Sequence, residues 1–290
     1  IGDIHYPDTA SQLSSVDIKD EGFSKKLIEK VVPNPFYQVS TSITDTLEKA
    51  DIEAILFSGD LTSRGNLQAY EECVKYFDGI IKNIEASKSK SLNINAVPGN
   101  HDLTRKNMEN SSMEGRFSAF KSVWKSIGRD ILAIDSVRSS TISSKGVSLN
   151  ILSLNTCAGC GEEYSKFPED IAQTYKTLLQ NSDLENKENF DLFCENLDTP
   201  AIYSQHVGEL IGQITGSESN NFCLILGHHP LLPQATMRVA PYTELLNGGN
   251  TRLALTDQNK PIIYCHGHIH EDPVEVVSQP GNAASQLILI

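Results

Sequence analysis

Apolar and polar positions alternate along this chain with two different periods. Short apolar runs that are bounded by glycine, proline or a polar side chain are typical of buried strands. Between these runs, apolar residues recur at helical spacing over residues 36–50, 66–85, 115–127 and 203–214. The alternation of strands and helices predicts an α/β fold with largely parallel pairing. The predicted strands cover residues 52–58, 92–97, 147–154, 222–226, 261–265 and 286–290, and Ile1 is the last residue of another.

A short polar motif follows the end of five of these strands. Active sites of open α/β sheets collect at the carboxyl ends of the strands, so we expect the motifs to meet. Imidazole nitrogen and carboxylate oxygen are ligands of zinc, manganese and iron, and the motifs therefore predict one metal site with two ions. The motifs are Asp3-Ile4-His5, Gly59-Asp60, Gly99-Asn100-His101-Asp102, Gly227-His228-His229 and Gly267-His268-Ile269-His270, and seven of the eight histidines lie in or beside them.

Alternation within two motifs indicates which side chains share an ion. In an extended segment, residues i and i+2 point to the same side, so Asp3 and His5 can reach one ion. The same spacing places His268 and His270 on one side.

The motifs after the 52–58 and 92–97 strands suggest distinct chemical roles. Asp60 has two carboxylate oxygens and can bridge two cations, while Gly59 allows the backbone to approach them closely. Asn100 can offer an amide oxygen to the second ion. His101 is then free for proton transfer, and Asp102 could fix its tautomer and raise its pKa.

Length and composition indicate a single domain with insertions. The chain has 290 residues, of which 39% are hydrophobic, and no run is long enough for a membrane span. Residues 156–202 are polar and poorly periodic and are interpreted as a cap or lid, and residues 8–35 as a shorter surface excursion. The abrupt ends indicate a domain cut from a longer chain that could carry additional domains.

Charge and cysteine usage restrict the partners and the compartment. The net charge of −13 makes nucleic acid an unfavourable partner and leaves a small phosphoester as the expected substrate. Six irregularly spaced cysteines do not form a disulfide framework, which favours a reducing compartment and a cytoplasmic location. Cys157-Ala158-Gly159-Cys160 could be a zinc or redox pair, but without a second pair we interpret it as a loop. His206 is expected on an exposed helix face and Trp124 in the core.

The ordered motifs resemble those of the calcineurin-like metallophosphoesterase superfamily. Its signature is D-x-H, G-D, G-N-H-D/E, G-H and G-H-x-H, and the resemblance spans almost the whole chain. The G-D-L-T and H-H-P segments are most similar to the bacterial cyclic-nucleotide phosphodiesterase-like branch. The resemblance implies a four-layer α-β-β-α sandwich of two mixed sheets with the site at one edge.

The resemblance also implies a ligand set and a mechanism. Asp3, His5, Asp60 and His270 would hold the first of two divalent ions, which would be manganese, iron or zinc. Asp60 would bridge to the second ion, which Asn100, His228 and His268 would hold. A hydroxide between the ions would attack phosphorus. His101 would be the general acid, with Asp102 as its partner.

Two further residues are candidate substrate contacts, and two other functions remain open. Arg64 follows Gly59-Asp60 as in a stretch of the protein serine/threonine phosphatases that ends in Asp-Arg-Gly, although Ser63 replaces the aspartate. His229 is the neighbour of the predicted ligand His228. The alternatives to a phosphodiesterase or phosphatase are a nuclease of the same superfamily and a non-catalytic scaffold that keeps the fold.

Overall fold

The computed structural model describes residues 1–6, 35–63, 65–104, 112–129, 133–144, 146–161, 169, 173, 199–217, 221–232, 245–269 and 274–290. Most of the predicted lid and of the 8–35 excursion lies outside these residues, and so do Arg64 and His270.

The described helices and strands follow the predicted alternation. The strands predicted at 52–58, 92–97 and 147–154 are shorter by one to three residues, those at 222–226 and 286–290 begin one and four residues earlier, and the strand at 261–265 is confirmed without change. The helices are α1 Pro35–Lys49, α2 Leu67–Lys88, α3 Met113–Arg116, α4 Ser118–Ser126, α5 Ser204–Gly216 and α6 Gly248–Thr256. The strands are β1 Ala54–Phe57, β2 Asn93–Ala96, β3 Arg138–Ser144, β4 Val147–Ser153, β5 Asn221–Leu226, β6 Pro261–Cys265, β7 Glu275–Gln279 and β8 Asn282–Leu289.

The first sheet lies at the beginning of the described chain. Strands β1 and β2 pair in parallel, with Ala54 opposite Asn93 and Phe57 opposite Ala96. The first six residues run alongside β1 and its following loop, since the Asp3 amide donates to the Gly59 carbonyl at 3.0 Å. These hydrogen bonds pair the segment with the first sheet, but Ile1 does not lie in a described strand, and Asp3 and His5 have left-handed rather than extended backbone.

The second sheet has six strands in the order β3-β4-β5-β6-β8-β7. Its four inner strands pair in parallel, while the two edge strands, β3 and β7, pair antiparallel to their neighbours. Buried parallel strands read as continuous apolar runs, which is why the sequence predicted the inner strands.

Three clusters of buried apolar side chains hold the two sheets and their helices together. In the first, Tyr70 and Phe77 of α2 and Trp124 of α4 pack with Phe57 of β1, and the Phe57 and Trp124 ring centroids are 5.0 Å apart. Burying one such ring contributes roughly 1.5–3 kcal/mol. The cluster confirms that Trp124 is a core residue.

The other two apolar clusters lie on and between the sheets, and together with the first they hold four layers of secondary structure. Leu210 of α5 and Leu255 of α6 cover the outer face of the second sheet. Between the sheets, Leu226 of β5 packs with Val97 and Ala133. The order is therefore helix, sheet, sheet, helix, which confirms the predicted α-β-β-α architecture.

Some elements differ from the predictions for local reasons. The single helix predicted over 115–127 is divided into the two helices α3 and α4. The helical path is broken at Phe117, whose φ and ψ are −102° and 24°. Strand β3 was not predicted, since its sequence RSSTISS is polar and mostly exposed. The predicted exposure of His206 is wrong: its ring is 2% exposed and its Nε2 lies 2.8 Å from the Asp135 carbonyl oxygen.

Candidate metal centre

The predicted site residues gather at one end of the sandwich, where strands of both sheets finish. Asp60 follows β1, Asn100 begins a short 3₁₀ turn after β2, His228 follows β5 and His268 follows β6. The segment that carries Asp3 and His5 lies beside the loop after β1. Parallel strands bring their carboxyl ends to one edge, and here the edges of two facing sheets coincide.

Asp60 lies at the centre of this group and is 1% exposed. Its Oδ1 accepts a hydrogen bond from the His101 amide at 2.8 Å. Its Oδ2 lies 3.3 Å from His228 Nε2 and 3.9 Å from His5 Nε2. One carboxylate therefore faces imidazoles from two sides.

Three sets of side chains at this end could each hold a cation. In each set the possible ligand atoms lie within 4.8 Å of one another. Asp60 belongs to two sets and His228 to two, so the sets join into one continuous cluster. Carboxylates and imidazoles are ligands of divalent metal ions such as zinc, manganese and iron. The sets are His5, Asp60 and His101; Asp3, Asp60 and His228; and His228, His229 and His268.

The ring of His228 is oriented for ligation. Its Nδ1 lies 2.7 Å from the Ser58 carbonyl, which can only accept, so Nδ1 carries the hydrogen. Nε2 faces both Asp60 Oδ2 and the Asn100 amide oxygen, which is 3.1 Å away, and it is the nitrogen whose hydrogen a cation would replace. Metal-ligating histidines are held in the same way by a carbonyl on the other ring nitrogen.

The charges of Asp60 and His228 depend on each other. Burial alone would raise the pKa of the Asp60 carboxyl, but the facing His228 imidazole outweighs it and lowers that pKa below its ordinary value. Burial alone would lower the pKa of His228, but Asp60 raises it to about 9. The pair is thus a carboxylate with an imidazolium, and the proton is one that a cation would replace.

Two glycines leave room for the carboxylates. A Cβ on Gly99 would lie 2.0 Å from Asp60 Oδ1, and one on Gly267 would lie 2.4 Å from Asp3 Oδ2. Beside Gly267, the His268 amide donates to both Asp3 oxygens at 3.0 and 3.1 Å. These positions require glycine because the carboxylates approach the backbone itself.

Backbone strain is concentrated at the predicted ligands. Six non-glycine residues of the described ranges have positive φ, and four of them are Asp3 (53°), His5 (49°), Asp60 (52°) and His268 (72°). The left-handed region costs a side-chain-bearing residue roughly 1–2 kcal/mol. Strain of this kind clusters at functional sites, where the surrounding structure holds it in place.

The contacts of His101 and Asp102 correct one detail of the prediction. His101 Nδ1 lies 2.9 Å from the Ser63 carbonyl, so this carbonyl, rather than Asp102, fixes the tautomer. The Asp102 carboxylate accepts hydrogen bonds from the Thr62 and Gly99 amides at 3.1 and 3.0 Å. Asp102 therefore ties together the two loops that carry Asp60 and His101.

Among the described residues, the open side of the cluster includes Asp3, His5, His101 and His268, which are all part-exposed. The His5 side chain is 19% exposed, and its ring centroid lies 4.8 Å from that of His101. His228 and His229 are fully buried. The burial of His229 argues against the direct substrate contact that the sequence suggested.

Thr156 supports the site although the sequence did not single it out as functional. Its Oγ1 accepts hydrogen bonds from the amides of His228 and His229 at 3.1 and 3.0 Å. The one available signal was its position directly after the β4 run. A threonine at a strand end is too common to indicate a role by itself.

Comparison with known proteins agrees with this geometry. The model of the family described as calcineurin-like phosphoesterase matches residues 1–272. The chain belongs to this family. The uncharacterized metallophosphoesterase-like protein YydB of Bacillus subtilis is 41% identical over 58 residues, which are 20% of this chain and 11% of that relative's length. The chain therefore matches only a small part of this calcineurin-like relative.

Solved structures that align with this calcineurin-like phosphoesterase do so at low sequence identity and with TM-scores below 0.5. The phosphopantetheinyl hydrolase PptH from Mycobacterium tuberculosis has a TM-score of 0.43 at 14% identity, with 91% of this chain and 86% of that chain covered. A putative 5'-nucleotidase from Staphylococcus aureus has a TM-score of 0.43 at 10% identity, with 86% of this chain and 41% of that one covered.

Family membership implies metal-dependent phosphoester hydrolysis. Among the described residues, no helix is long and apolar enough to cross a bilayer.

Proposed function

We propose that this chain hydrolyses small phosphoesters at a dinuclear metal centre bridged by Asp60. The observation that supports this proposal most strongly is that Asp60 belongs to two of the three candidate cation sets, and that its Oδ2 faces His228 Nε2 at 3.3 Å and His5 Nε2 at 3.9 Å. A carboxylate in this position can be shared by two ions.

The ligand assignment is the one that the resemblance to the family implies, while the contacts around Asp60 group Asp3 with His228 and His5 with His101. Asp3 and His5 would complete the first ion's environment together with His270, which lies outside the described residues. The Asn100 amide oxygen, His228 Nε2 and the His268 ring would complete the second. When bound, the two ions would activate a water as the nucleophile and stabilise charge on the phosphoryl oxygens.

His101 is suited to protonate the leaving group. Because Ser63 holds the hydrogen on Nδ1, Nε2 is the nitrogen that exchanges a proton. The ring is part-exposed on the open side, whereas the amide of the same residue is hydrogen-bonded to Asp60. The proton donor is thereby fixed relative to the bridging carboxylate.

Asp102 contributes by positioning rather than by contact with the substrate. Burial and, next, the charge of Asp60 raise the pKa of its carboxyl to about 7. Its hydrogen bonds to Thr62 and Gly99 hold the loop of Asp60 against the turn of His101.

A small substrate fits the charge of the chain better than a nucleic acid does. The net charge of −13 opposes a long polyanion. A non-catalytic scaffold is the less favoured alternative, because all seven predicted ligands are present in the sequence.

A substrate panel tests the proposal. The metal-depleted protein is reloaded with Mn²⁺, Fe²⁺ or Zn²⁺ and assayed on bis(p-nitrophenyl) phosphate, p-nitrophenyl phosphate and single-stranded DNA. We expect metal-dependent turnover of at least one small ester and a much lower kcat/KM on DNA. Preferential cleavage of DNA would favour the nuclease, and no turnover with any metal would favour the scaffold.

A further inference from the structure

A cluster of two thiols and one imidazole lies directly behind the dinuclear centre. Cys157 and Cys160 belong to the loop after β4, and His229 follows β5. All three side chains are fully buried, and their possible ligand atoms lie within 4.8 Å of one another. From the sequence we interpret this cysteine pair as a loop because the chain has no second such pair; the third member, His229, lies far away along the chain.

The distances within the cluster match those around a tetrahedral zinc ion. Cys157 Sγ lies 3.7 Å from His229 Nδ1, and the two thiols are in hydrogen-bond contact. With Zn–S of about 2.3 Å and Zn–N of about 2.0–2.1 Å, tetrahedral angles place sulfur and nitrogen about 3.6 Å apart. The side chains need little rearrangement to surround one ion.

The tautomer of His229 directs a lone pair at this cluster. Thr156 Oγ1 accepts from two backbone amides, so its one hydrogen is left for His229 Nδ1, 3.0 Å away. Nδ1 therefore has the lone pair, which a cation would take in place of the hydroxyl. Nε2 then carries the ring hydrogen and is a buried nitrogen with no hydrogen-bond partner among the described residues.

The loop that carries the thiols is held rigidly. Arg116, which is 1% exposed, donates to the carbonyls of Ala158 and Cys160, the first at 3.1 Å. The Cys160 amide donates to the Cys157 carbonyl at 2.9 Å. A Cβ on Gly159 would lie 2.6 Å from the Thr199 carbonyl oxygen. Such preorganisation of the supporting groups is typical of ligand sites.

We propose that Cys157, Cys160 and His229 bind one thiophilic cation, Zn²⁺ by preference, at a site separate from the dinuclear centre. Both thiols release their protons to solvent as two zinc–sulfur bonds form, and His229 Nδ1 supplies a third bond. Thiolate ligands select zinc over manganese and magnesium. The complete burial of both thiols disfavours a redox pair, because reactive cysteines are partly exposed.

This ion would also fix a ring that supports the proposed catalytic metals. The His229 ring centroid lies 4.7 Å from that of His228 and 4.4 Å from that of His268. Binding at Nδ1 would hold the His229 ring against both predicted ligands.

Cobalt spectroscopy tests the site without reference to activity. The reduced, metal-depleted chain is titrated with Co²⁺, and the thiolate-to-cobalt charge-transfer band in the near ultraviolet is followed. We expect one equivalent of Co²⁺ to produce the band, and Zn²⁺ to abolish it by displacement. The nitrogen and oxygen ligands of the dinuclear centre give no such band.

Matched variants assign the band to residues. It should disappear in Cys157→Ala and Cys160→Ala. It should persist in Cys223→Ala, which removes a buried thiol within β5, and in Asp60→Asn, which breaks the dinuclear centre.

Two results would overturn the proposal. One is a wild-type chain that shows no thiolate band at saturating Co²⁺, a measurement that needs no variant to fold. The other is a band that survives in both cysteine variants. A failure of phosphoester hydrolysis would leave this test untouched, so the two proposals can fail separately.

Discussion

The two walls of the metal centre come from different sheets and differ in chemistry. The first-sheet wall consists of Asp3, His5, Asp60, Asn100 and His101, which offer two carboxylates, an amide oxygen and two imidazoles. The second-sheet wall consists of His228, His229 and His268, which offer imidazoles alone. The first wall supplies negative charge and the exposed proton donor, and the second is mostly buried.

The walls also differ in how they are held. Three first-sheet residues, Asp3, His5 and Asp60, have left-handed backbone, against His268 alone in the second wall. Contacts across the gap connect the walls, with His228 Nδ1 donating to the Ser58 carbonyl and the His268 amide donating to Asp3. Of the three candidate cation sets, only Asp3, Asp60 and His228 draws on both walls, and through Asp60 and His228 it joins the other two sets, each of which lies in one wall.

Asp60→Asn should have the largest effect, because it removes the charge that both ions would share. We expect kcat/KM to fall on the order of 10⁴-fold, since stabilisation by two metals is worth several kcal/mol. Asparagine tolerates the left-handed backbone at this position, so the fold should persist. Elemental analysis should show loss of metal at an unchanged circular dichroism spectrum. Full metal content with full activity would contradict the shared-carboxylate account.

His101→Ala should have the next largest effect and should separate proton transfer from metal binding. General acid catalysis contributes roughly 10²–10⁴-fold, so kcat should fall within this range while both ions are retained. The loss should be larger for an alkyl ester than for a p-nitrophenyl ester, whose leaving group needs no proton. Equal losses on the two esters would remove His101 from the acid role.

Chelation should weaken the junction between the walls. A metal ion at a free concentration of a hundred times its Kd stabilises the folded state by about 2.7 kcal/mol. Removing the ion with a chelator would remove this stabilisation. For a chain of this size this corresponds to a fall of roughly 4–5 °C in Tm. In protein loaded with Mn²⁺ alone, which the proposed thiolate site disfavours, the same chelator should leave the Tm of Asp60→Asn nearly unchanged. A shift of equal size in that variant would locate the stabilising metal elsewhere.

Gly267→Ala should have the smallest effect of the four and acts on the contact between the walls. The new Cβ would lie 2.4 Å from Asp3 Oδ2 and displace that carboxylate. Disturbing a ligand in this way typically costs 10–100-fold in affinity or activity.

Gly212→Ala is the matched control for this substitution, because its Cβ would meet nothing within 4 Å inside α5. Activity should be unchanged there, and stability should rise by about 0.5–1 kcal/mol. Metal titrations and kcat/KM of the two variants make the comparison, and an unaffected Gly267→Ala would show that Asp3 is not a ligand.

The sequence predicted most of the fold because buried parallel strands leave a clear apolar signal. The run at residues 261–265 coincides with β6, and the helix predicted from Asn66 begins at Leu67 because the Asn66 side chain caps the amides of Gln68 and Ala69. The polar edge strand β3 and helix α6, which begins with two glycines, lack such signals and were not predicted.

The spacing of residues along the chain could indicate candidate metal ligands. It could not predict the contacts between distant segments. The sequence assigned Asp102 to the His101 ring because the two are adjacent, whereas the structure gives that ring the Ser63 carbonyl. It also placed His206 on the surface, although α5 turns this residue towards Asp135. The approach of His229 to Cys157 depends on the pairing of β4 with β5, which no local pattern reveals.

The most direct test of the central claim is electron paramagnetic resonance of the Mn²⁺-loaded protein at two equivalents of metal. A carboxylate shared by two ions predicts an exchange-coupled Mn²⁺ pair, and Asp60→Asn should lose the coupling. Two uncoupled Mn²⁺ signals in the wild-type chain, or saturation at one equivalent, would contradict the bridged dinuclear centre.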